Sequence, residues 1–391
     1  SQEHIEIDEL RLRVFSGDEQ VRVDVTIESP HALVNAKASQ ARGEGFLYVQ
    51  GPGYSVTGKK WYWDDKADLL EINSDVQLTF VSDKPDSPPI LISSEKLRIE
   101  TQEAGYHFVF TGKVRVINDR TEMQSPALQA WSERAAEKSG PDARPSGIRR
   151  ILADQGVVVL QPGRRLTAQK AELPEASLGR EIVLTGKPRM HDIVNDAVLT
   201  GGQVQIWRDR QQVIVLPEKI APARVTASLP PTQKNSGKRM EIVGQRMEMN
   251  VNAQGQRELS FFERVAVRDP GINLWSDELT AILEKGQDDA VVVDPTRTGG
   301  IERIVAKSNV SIDQDNRRTL SQLAEVFPKE SRVVLTGAPT TVTDQQNGTV
   351  LEGGTITLYR DENRVTVKGC DQNQSHVIMA PLEQKQSTAV T

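Results

Sequence analysis

The sequence predicts an all-β protein built from tandem, related modules of antiparallel strands. Three observations carry this, the first two being that apolar and polar residues alternate over short stretches between Gly, Asp, Asn or Pro punctuation and that one strand-rich stretch is repeated far along the chain. The third is size and balance. With 391 residues, 37% hydrophobic and 26% charged, the chain is long enough for about two to three domains and has the composition of a folded protein.

The alternating segments run in order through Val114-Arg115-Val116, Val204-Gln205-Ile206-Trp207, Val213-Ile214-Val215, Val265-Ala266-Val267, Val310-Ser311-Ile312, Thr355-Ile356-Thr357-Leu358 and Val365-Thr366-Val367. Weak helical periodicity occurs at Leu128 to Lys138 and at Thr319 to Phe327. The repeat is explicit: Val198-Leu199-Thr200-Gly201-Gly202-Gln203-Val204-Gln205-Ile206-Trp207-Arg208-Asp209 returns as Val350-Leu351-Glu352-Gly353-Gly354-Thr355-Ile356-Thr357-Leu358-Tyr359-Arg360-Asp361, an offset of 350 − 198 = 152. Leu184 to Pro188 matches Leu335 to Pro339, Gly147 to Ile151 matches Gly300 to Ile304, and Val114, Val116, Ser125, Leu128 and Ala130 fall on Val265, Val267, Ser276, Leu279 and Ala281. The duplication covers roughly residues 94–216 and 244–368. A divergent version precedes it, in Thr57 to Asp65, Leu70-Glu71-Ile72 and Ser74 to Phe80. Three modules are expected, at 1–93, 94–243 and 244–391, with Pro-rich joints at Asp83 to Pro89 and Leu216 to Lys238. Polar excursions are expected at Ser132 to Ser146 and Lys285 to Gly299.

Composition excludes several classes. Lys+Arg 48 against Asp+Glu 54 gives a net charge of −6, without the basic stripe of a nucleic-acid binder. The single cysteine, Cys370, closes no intrachain disulfide and has no Cys or His at zinc-ligand spacing. No metal and no cofactor is expected. No run approaches the ~18 apolar residues of a membrane span. The chain begins at Ser1 rather than Met, as a processed or truncated protein would, and an N-terminal signal or membrane anchor is expected to be absent from it. Near-absence of cysteine is compatible with the periplasm.

Catalytic constellations are thin. His4, His31, His107, His191 and His376 have no ligand spacing among them, and the Met190-His191-Asp192 pair has no counterpart in Thr341-Val342-Thr343. Nucleophile elbows and zinc-protease helices are absent, and no enzyme is expected. The Gly-Gly pairs read as tight turns needing positive φ, followed by hairpin turns at Asp209-Arg210 and Asp361-Glu362; they precede a strand, not a helix, so they cradle no phosphate. Acidic pairs such as Asp64-Asp65 and Asp288-Asp289 read as solvated turns. In Trp61-Tyr62-Trp63 alternation puts the two tryptophans on one face, as core anchors.

What remains is one apolar face per strand. Val114, Val116, Val157, Val159, Val204, Ile206, Val213 and Val215, with Val265, Val267, Val310, Ile312, Ile356, Leu358, Val365 and Val367, are the candidates to line it. They form either the core of an ordinary closed sandwich or solenoid, or an apolar trough open to lipid acyl chains, each methylene contributing about 0.8 kcal/mol. In a trough, Ile206→Asp or Ile356→Asp should abolish lipid capture with the fold intact.

Leu335 to Pro339, followed by Val350 to Tyr359 and Arg364-Val365-Thr366-Val367-Lys368-Gly369, with Ala306-Lys307-Ser308-Asn309-Val310-Ser311-Ile312, resembles the OstA-like family of lipopolysaccharide transport proteins, the periplasmic LptA and LptC type. The N-terminal Tyr54 to Gly58, Trp61-Tyr62-Trp63 and Ser74 to Leu78 are more similar to the LptC branch. The resemblance implies tandem open β-jellyrolls (β-tacos) forming an elongated twisted groove. It implies acyl chains held inside and sugars in solvent, and other transport proteins, or further copies of the chain, as head-to-tail partners through edge strands. The function expected is non-enzymatic periplasmic transport of lipopolysaccharide or a related glycolipid between inner- and outer-membrane components. The chain departs from a single module in carrying two close copies and a divergent one. The alternative is a cell-surface β-solenoid or sandwich that binds polysaccharide, which requires exposed aromatics such as Trp61 and Trp63.

Overall fold

A computed structural model describes residues 5–16, 22–51, 53–81, 88–102, 105–133, 148–174, 181–194, 196–207, 210–219, 224–229, 239–269, 272–284, 301–314, 316–359, 361–362, 364–369 and 376–378. They form 29 antiparallel strands, and the helical content among the described residues is the single 3-10 turn Pro328–Glu330. The fold is all-β. The chain divides into two compact units, residues 1–190 with 203–209, and 191–202 with 210–391.

In the first unit five strands follow as a meander, from Ile5–Ser16 to Leu69–Phe80. The two halves of Leu69–Phe80 then take different partners. Val76 to Phe80 pair with Ile90–Ser94, while Leu69 to Ile72 pair with Lys96–Gln102. Both short strands pair back onto separate halves of Gly105–Asn118, Ile92 opposite Val116 and Leu97 opposite Phe110. The second unit repeats this device: Met240–Gly244 and Arg246–Val251 pair with separate halves of Arg257–Asp269, Ile242 opposite Val267 and Met247 opposite Phe261. A meander of Ile272–Leu283, Ile301–Gln314, Arg317–Phe327, Arg332–Asp344 and Val350–Tyr359 follows, and the last splits between Arg364–Lys368 and His376–Ile378. Each unit is thus two layers made by the same strands bent at mid-length.

The bend has a local cause. Register shifts fall at the middle of successive strands, between Thr111 and Val114, Phe262 and Val265, Trp275 and Glu278, Lys307 and Val310, and Leu320 and Leu323. Left-handed residues sit at several of them: Gly112 and Lys113 (φ 80° and 48°), matched by Glu263 and Arg264 (61° and 53°), and Ser308 and Asn309 (61° and 54°). Two successive residues in this conformation swing the strand while returning its apolar alternation to the same side. Phe110 and Val114, Phe261 and Val265, and Ala306 and Val310 are buried across three residues that are exposed or half-exposed. Where the strand steps by three instead, as from Ser321 to Ala324 or Ser125 to Leu128, the spacing imitates a helix. That is why Thr319 to Phe327 and Leu128 to Lys138 carry helical periodicity although they lie in Arg317–Phe327 and Thr121–Glu133; residues 134–138 lie outside the described residues.

Buried serines hold the bend. The Ser125 hydroxyl donates to the carbonyls of Ala127 (2.7 Å) and Asp154 (2.8 Å), and Ser276 donates to Glu278 (2.9 Å). In the N-terminal meander Ser29 donates to His31 (3.1 Å) and Phe46 (2.8 Å). A bulge frees carbonyls from the ladder, and a buried carbonyl without a donor is costly.

The repeat is written in the registers as well as in the residues. Val114 faces Ser125 as Val265 faces Ser276, Ala130 faces Ile151 as Ala281 faces Ile304, and Leu184 faces Val204 as Leu335 faces Ile356. Even the outer-face pair Arg150–Glu172 (2.8 Å) returns as Arg303–Glu325 (3.3 Å). Where the second copy runs one long strand through the bend, Ile301–Gln314, the first has two short ones, Ile148–Asp154 and Val157–Gln161, broken at left-handed Gln155 and Gly156.

Two expectations are corrected. Gly201, Gly202 and Gly353 are not positive-φ turn residues. They are glycine because a Cβ at Gly201 would lie 2.5 Å from Val215 Cγ1, at Gly202 2.4 Å from the Glu218 backbone, and at Gly353 2.6 Å from Val367 Cγ1. The stretch Leu216 to Lys238 is not all joint, since it contains the strand Val225–Leu229, paired with Ala197–Thr200 and Met240–Gly244. The Asp361-Glu362 hairpin turn is present, with Tyr359 opposite Arg364. Asp209, most of Asp83 to Pro89, nearly all of Ser132 to Ser146 and the whole of Lys285 to Gly299 lie outside the described residues, as do Asp288-Asp289, His4 and Cys370.

Ser125→Ala and Ser276→Ala should each lower the unfolding free energy by about 1–2 kcal/mol, read as a shift in urea midpoint at unchanged slope. A pH effect follows from Glu122, whose carboxyl is held down to about 2 by the Arg115 guanidinium and the Gln124 amide. Its contribution is present above the usual carboxylate range and is lost as pH falls from about 4.5 through about 2; a carboxyl NMR titration should find that midpoint, and Arg115→Ala should raise it.

Candidate functional site

The bend turns one apolar face of each strand into the inside of a two-layered unit. Of the interior candidates, Leu358, Val365 and Val367 are half-buried and all the others are buried. In most of its length the interior on which they lie is closed core. Ile206 and Ile356 are both buried, so the expectation that Asp at either position leaves the fold intact is corrected: a carboxylate there would be desolvated without a partner.

In the first unit the space between layers is occupied by rings. Tyr54 and Phe80 on one layer meet Phe108 on the other at 5.3 Å each, edge to face, and Tyr106 lies 5.8 Å from Tyr54. Such pairs add about 0.5–1.5 kcal/mol beyond area burial. These aromatics were missed as a group because they lie on strands far apart in sequence.

In the second unit the layers leave a cavity of about 120 Å³. One wall is Ile272, Leu274, Ile312 and Thr319, the other Val326, Val333 and Leu358, and the rim carries Gln314, Arg317, Tyr359 and Arg364. The Arg364 guanidinium lies over the Tyr359 ring at 3.9 Å and bonds Glu362 at 2.7 Å, so the mouth is polar and the walls apolar. The cavity has a cause in the duplication. Val159 faces Leu166 in the first copy, and Ile312 faces Thr319 in the second. Where fully buried Leu166 fills its copy, the shorter Thr319 leaves room. At about 30 Å³ per small group the cavity holds on the order of four, enough for the end of an alkyl chain.

Other candidates resolve as structure. Trp61 is 2% exposed and Trp63 half-buried, so the pair is no exposed platform for a polysaccharide. Asp64 accepts from Tyr62 (2.9 Å), Gln40 (2.7 Å) and the Ala67 amide (3.1 Å), which makes it a turn cap. His191 and Asp192 point apart: His191 reaches Asp196 at 3.5 Å, while Asp192 is buried and paired with Arg257 at 2.5 Å. Among the described residues no cluster of His, Cys, Asp and Glu is placed to hold a metal ion. No helix among them is long and apolar enough to cross a membrane.

No family model matches the chain, and no curated protein matches it. Among solved structures it is similar to the crystal structure of LptH, the LptA homologous periplasmic component of the lipopolysaccharide transport device from Pseudomonas aeruginosa. The likeness covers 36% of this chain and 95% of that one, at 13% identity and a TM-score of 0.28.

Ile206→Asp and Ile356→Asp should fail to fold or lose more than about 3 kcal/mol, whereas Thr319→Leu, which installs the residue of the first copy, should raise stability by about 0.5–1 kcal/mol. Thermal melts of the three variants check both.

Proposed function

We propose that the protein is a non-enzymatic carrier of lipopolysaccharide or a related glycolipid, acting in the periplasm between inner- and outer-membrane components. The observation that carries it is the cavity in the second unit, apolar on both layers and polar at its rim, which suits an acyl chain whose head stays in water. A longer chain requires the layers to part along the cavity. They are joined there by side-chain packing, which exchanges for packing on the lipid at little net loss. The sequence resemblance to the OstA-like family supports the same ligand class, and the similar LptH structure is consistent with it.

Partners dock by strand pairing. Ile5–Ser16 is paired on one side by Arg22–Asn35, and Arg364–Lys368 by Val350–Tyr359. Among the described residues no strand covers their other edges, which suit β-augmentation by transport partners or by another copy of the chain. The modules 1–93, 94–243 and 244–391 are the units of this function, the first serving as the divergent LptC-like end.

The test is photocrosslinking of lipopolysaccharide from positions 312 and 358, with controls at Ser311 and Thr357, whose side chains alternate to the other face. Adducts from Ile312 and Leu358 positions alone, reduced when Thr319→Leu is added, are expected. Equal labelling at the controls, or none in folded protein, would overturn the carrier function.

A further inference from the structure

A second concavity lies in the first unit, on the outer side of the sheet. Phe46, Thr57, Lys59, Asp75, Gln77 and Ser93 line a hollow of about 470 Å³ where four adjacent strands pass through the bend. The volume is that of a small-ligand site, and four strands at their usual spacing give it a length of about 14 Å. It is built by the bulges: the pairing of Gln40–Gly51 with Tyr54–Asp64 shifts between Gly43 and Phe46, and that of Tyr54–Asp64 with Leu69–Phe80 shifts between Thr57 and Lys59. Asp75, with φ 56°, stands at the same line.

We propose that this hollow binds a short oligosaccharide. Its aromatic platform is fixed: the Phe46 carbonyl accepts the buried Ser29 hydroxyl at 2.8 Å while the residue stays 47% exposed. An aromatic face held in solvent beside hydrogen-bonding groups suits the apolar C–H face of a pyranose. The polar groups are held too. Lys59 Nζ meets Asp75 Oδ2 at 3.0 Å and Ser74 also bonds the carboxylate, which orients it, while its remaining lone pairs can accept from sugar hydroxyls. Thr57, Gln77 and Ser93 add donors and acceptors along neighbouring strands. The lining contains one carboxylate, Asp75, where glycoside cleavage needs two, so the chemistry is recognition. This site does not rest on lipid carriage. The sugar could be the head of a glycolipid or a free glycan, and both present the same hydroxyls and ring faces.

Saturation-transfer NMR on the full chain tests it with three probes: maltoheptaose, the oligosaccharide released from lipopolysaccharide by mild acid, and intact lipopolysaccharide. Transfer to at least one lipid-free glycan is expected, with affinity falling about tenfold or more in Phe46→Ala and in Gln77→Ala and unchanged in Thr319→Leu. Phe46-dependent transfer seen only with intact lipopolysaccharide would make the source a lipid-borne head and keep the site. No transfer from any probe, or transfer indifferent to Phe46→Ala and Gln77→Ala, overturns it, and either result leaves the crosslinking outcome at Leu358 standing on its own.

Discussion

The structure depends on a line of bends. Each long strand must turn at mid-length without changing which side its apolar residues face, and pairs of left-handed residues accomplish this at Gly112-Lys113, Glu263-Arg264 and Ser308-Asn309. A left-handed conformation costs a non-glycine residue about 1–2 kcal/mol, and most of these positions are not glycine. The cost is met collectively. One bend in isolation would be straightened by its neighbours, but successive strands bend at the same level, so the layers close on each other and every strand buries both halves of its apolar face at about 1.5–3 kcal/mol per large side chain. Ser125, Ser276 and Ser29 then satisfy the carbonyls that the bends release.

Because the frame is set by backbone and small polar residues, the space between the layers is free to vary. Phe110 and Phe261 are equivalent, yet Phe108 is matched by Leu259 and Leu166 by Thr319. Leu166 opposite Val159 fills the first copy where Thr319 opposite Ile312 leaves a cavity in the second. Side-chain truncation opens such a cavity at a cost of only what the lost packing was worth. Local cavity shape can therefore change without any change in topology.

Much of the fold was legible because alternation is a direct consequence of pleating. Val204 and Ile206 face inward with Gln205 between them, as do Val310 and Ile312 about Ser311. The internal likeness of the two stretches runs through Arg150 and Arg303, whose ion pairs to Glu172 and Glu325 correspond. The bend was not, because Lys307-Ser308-Asn309 reads as part of a continuous strand motif and nothing is assigned to Thr111-Gly112-Lys113 from sequence. Their signature is an apolar residue on each side of three polar or small ones, repeated in Ile72 to Val76, Phe110 to Val114 and Ala306 to Val310. The cavity was hidden for a different reason. It rests on what faces Ile312 across the ladder, and Thr319 looked like a polar residue of a helix or turn until the register placed it inside.

The distinction between inner and outer faces also decides what each can bind. Inside, water is excluded and the walls are aliphatic, so recognition there is by apolar area and scarcely by shape; any chain of methylenes satisfies it. Outside, at the bend, bulged strands lift Phe46, Lys59 and Asp75 around a hollow open to water, and hydrogen bonds made there are directional and discriminate between ligands. An amphiphile with acyl chains and a sugar head needs both kinds of surface. In a β-sheet bent on itself both kinds of surface arise, because successive residues of one strand point to opposite faces; here the cavity lies in the second unit and the hollow in the first. The bulges that close the apolar interior are also what shape the polar exterior.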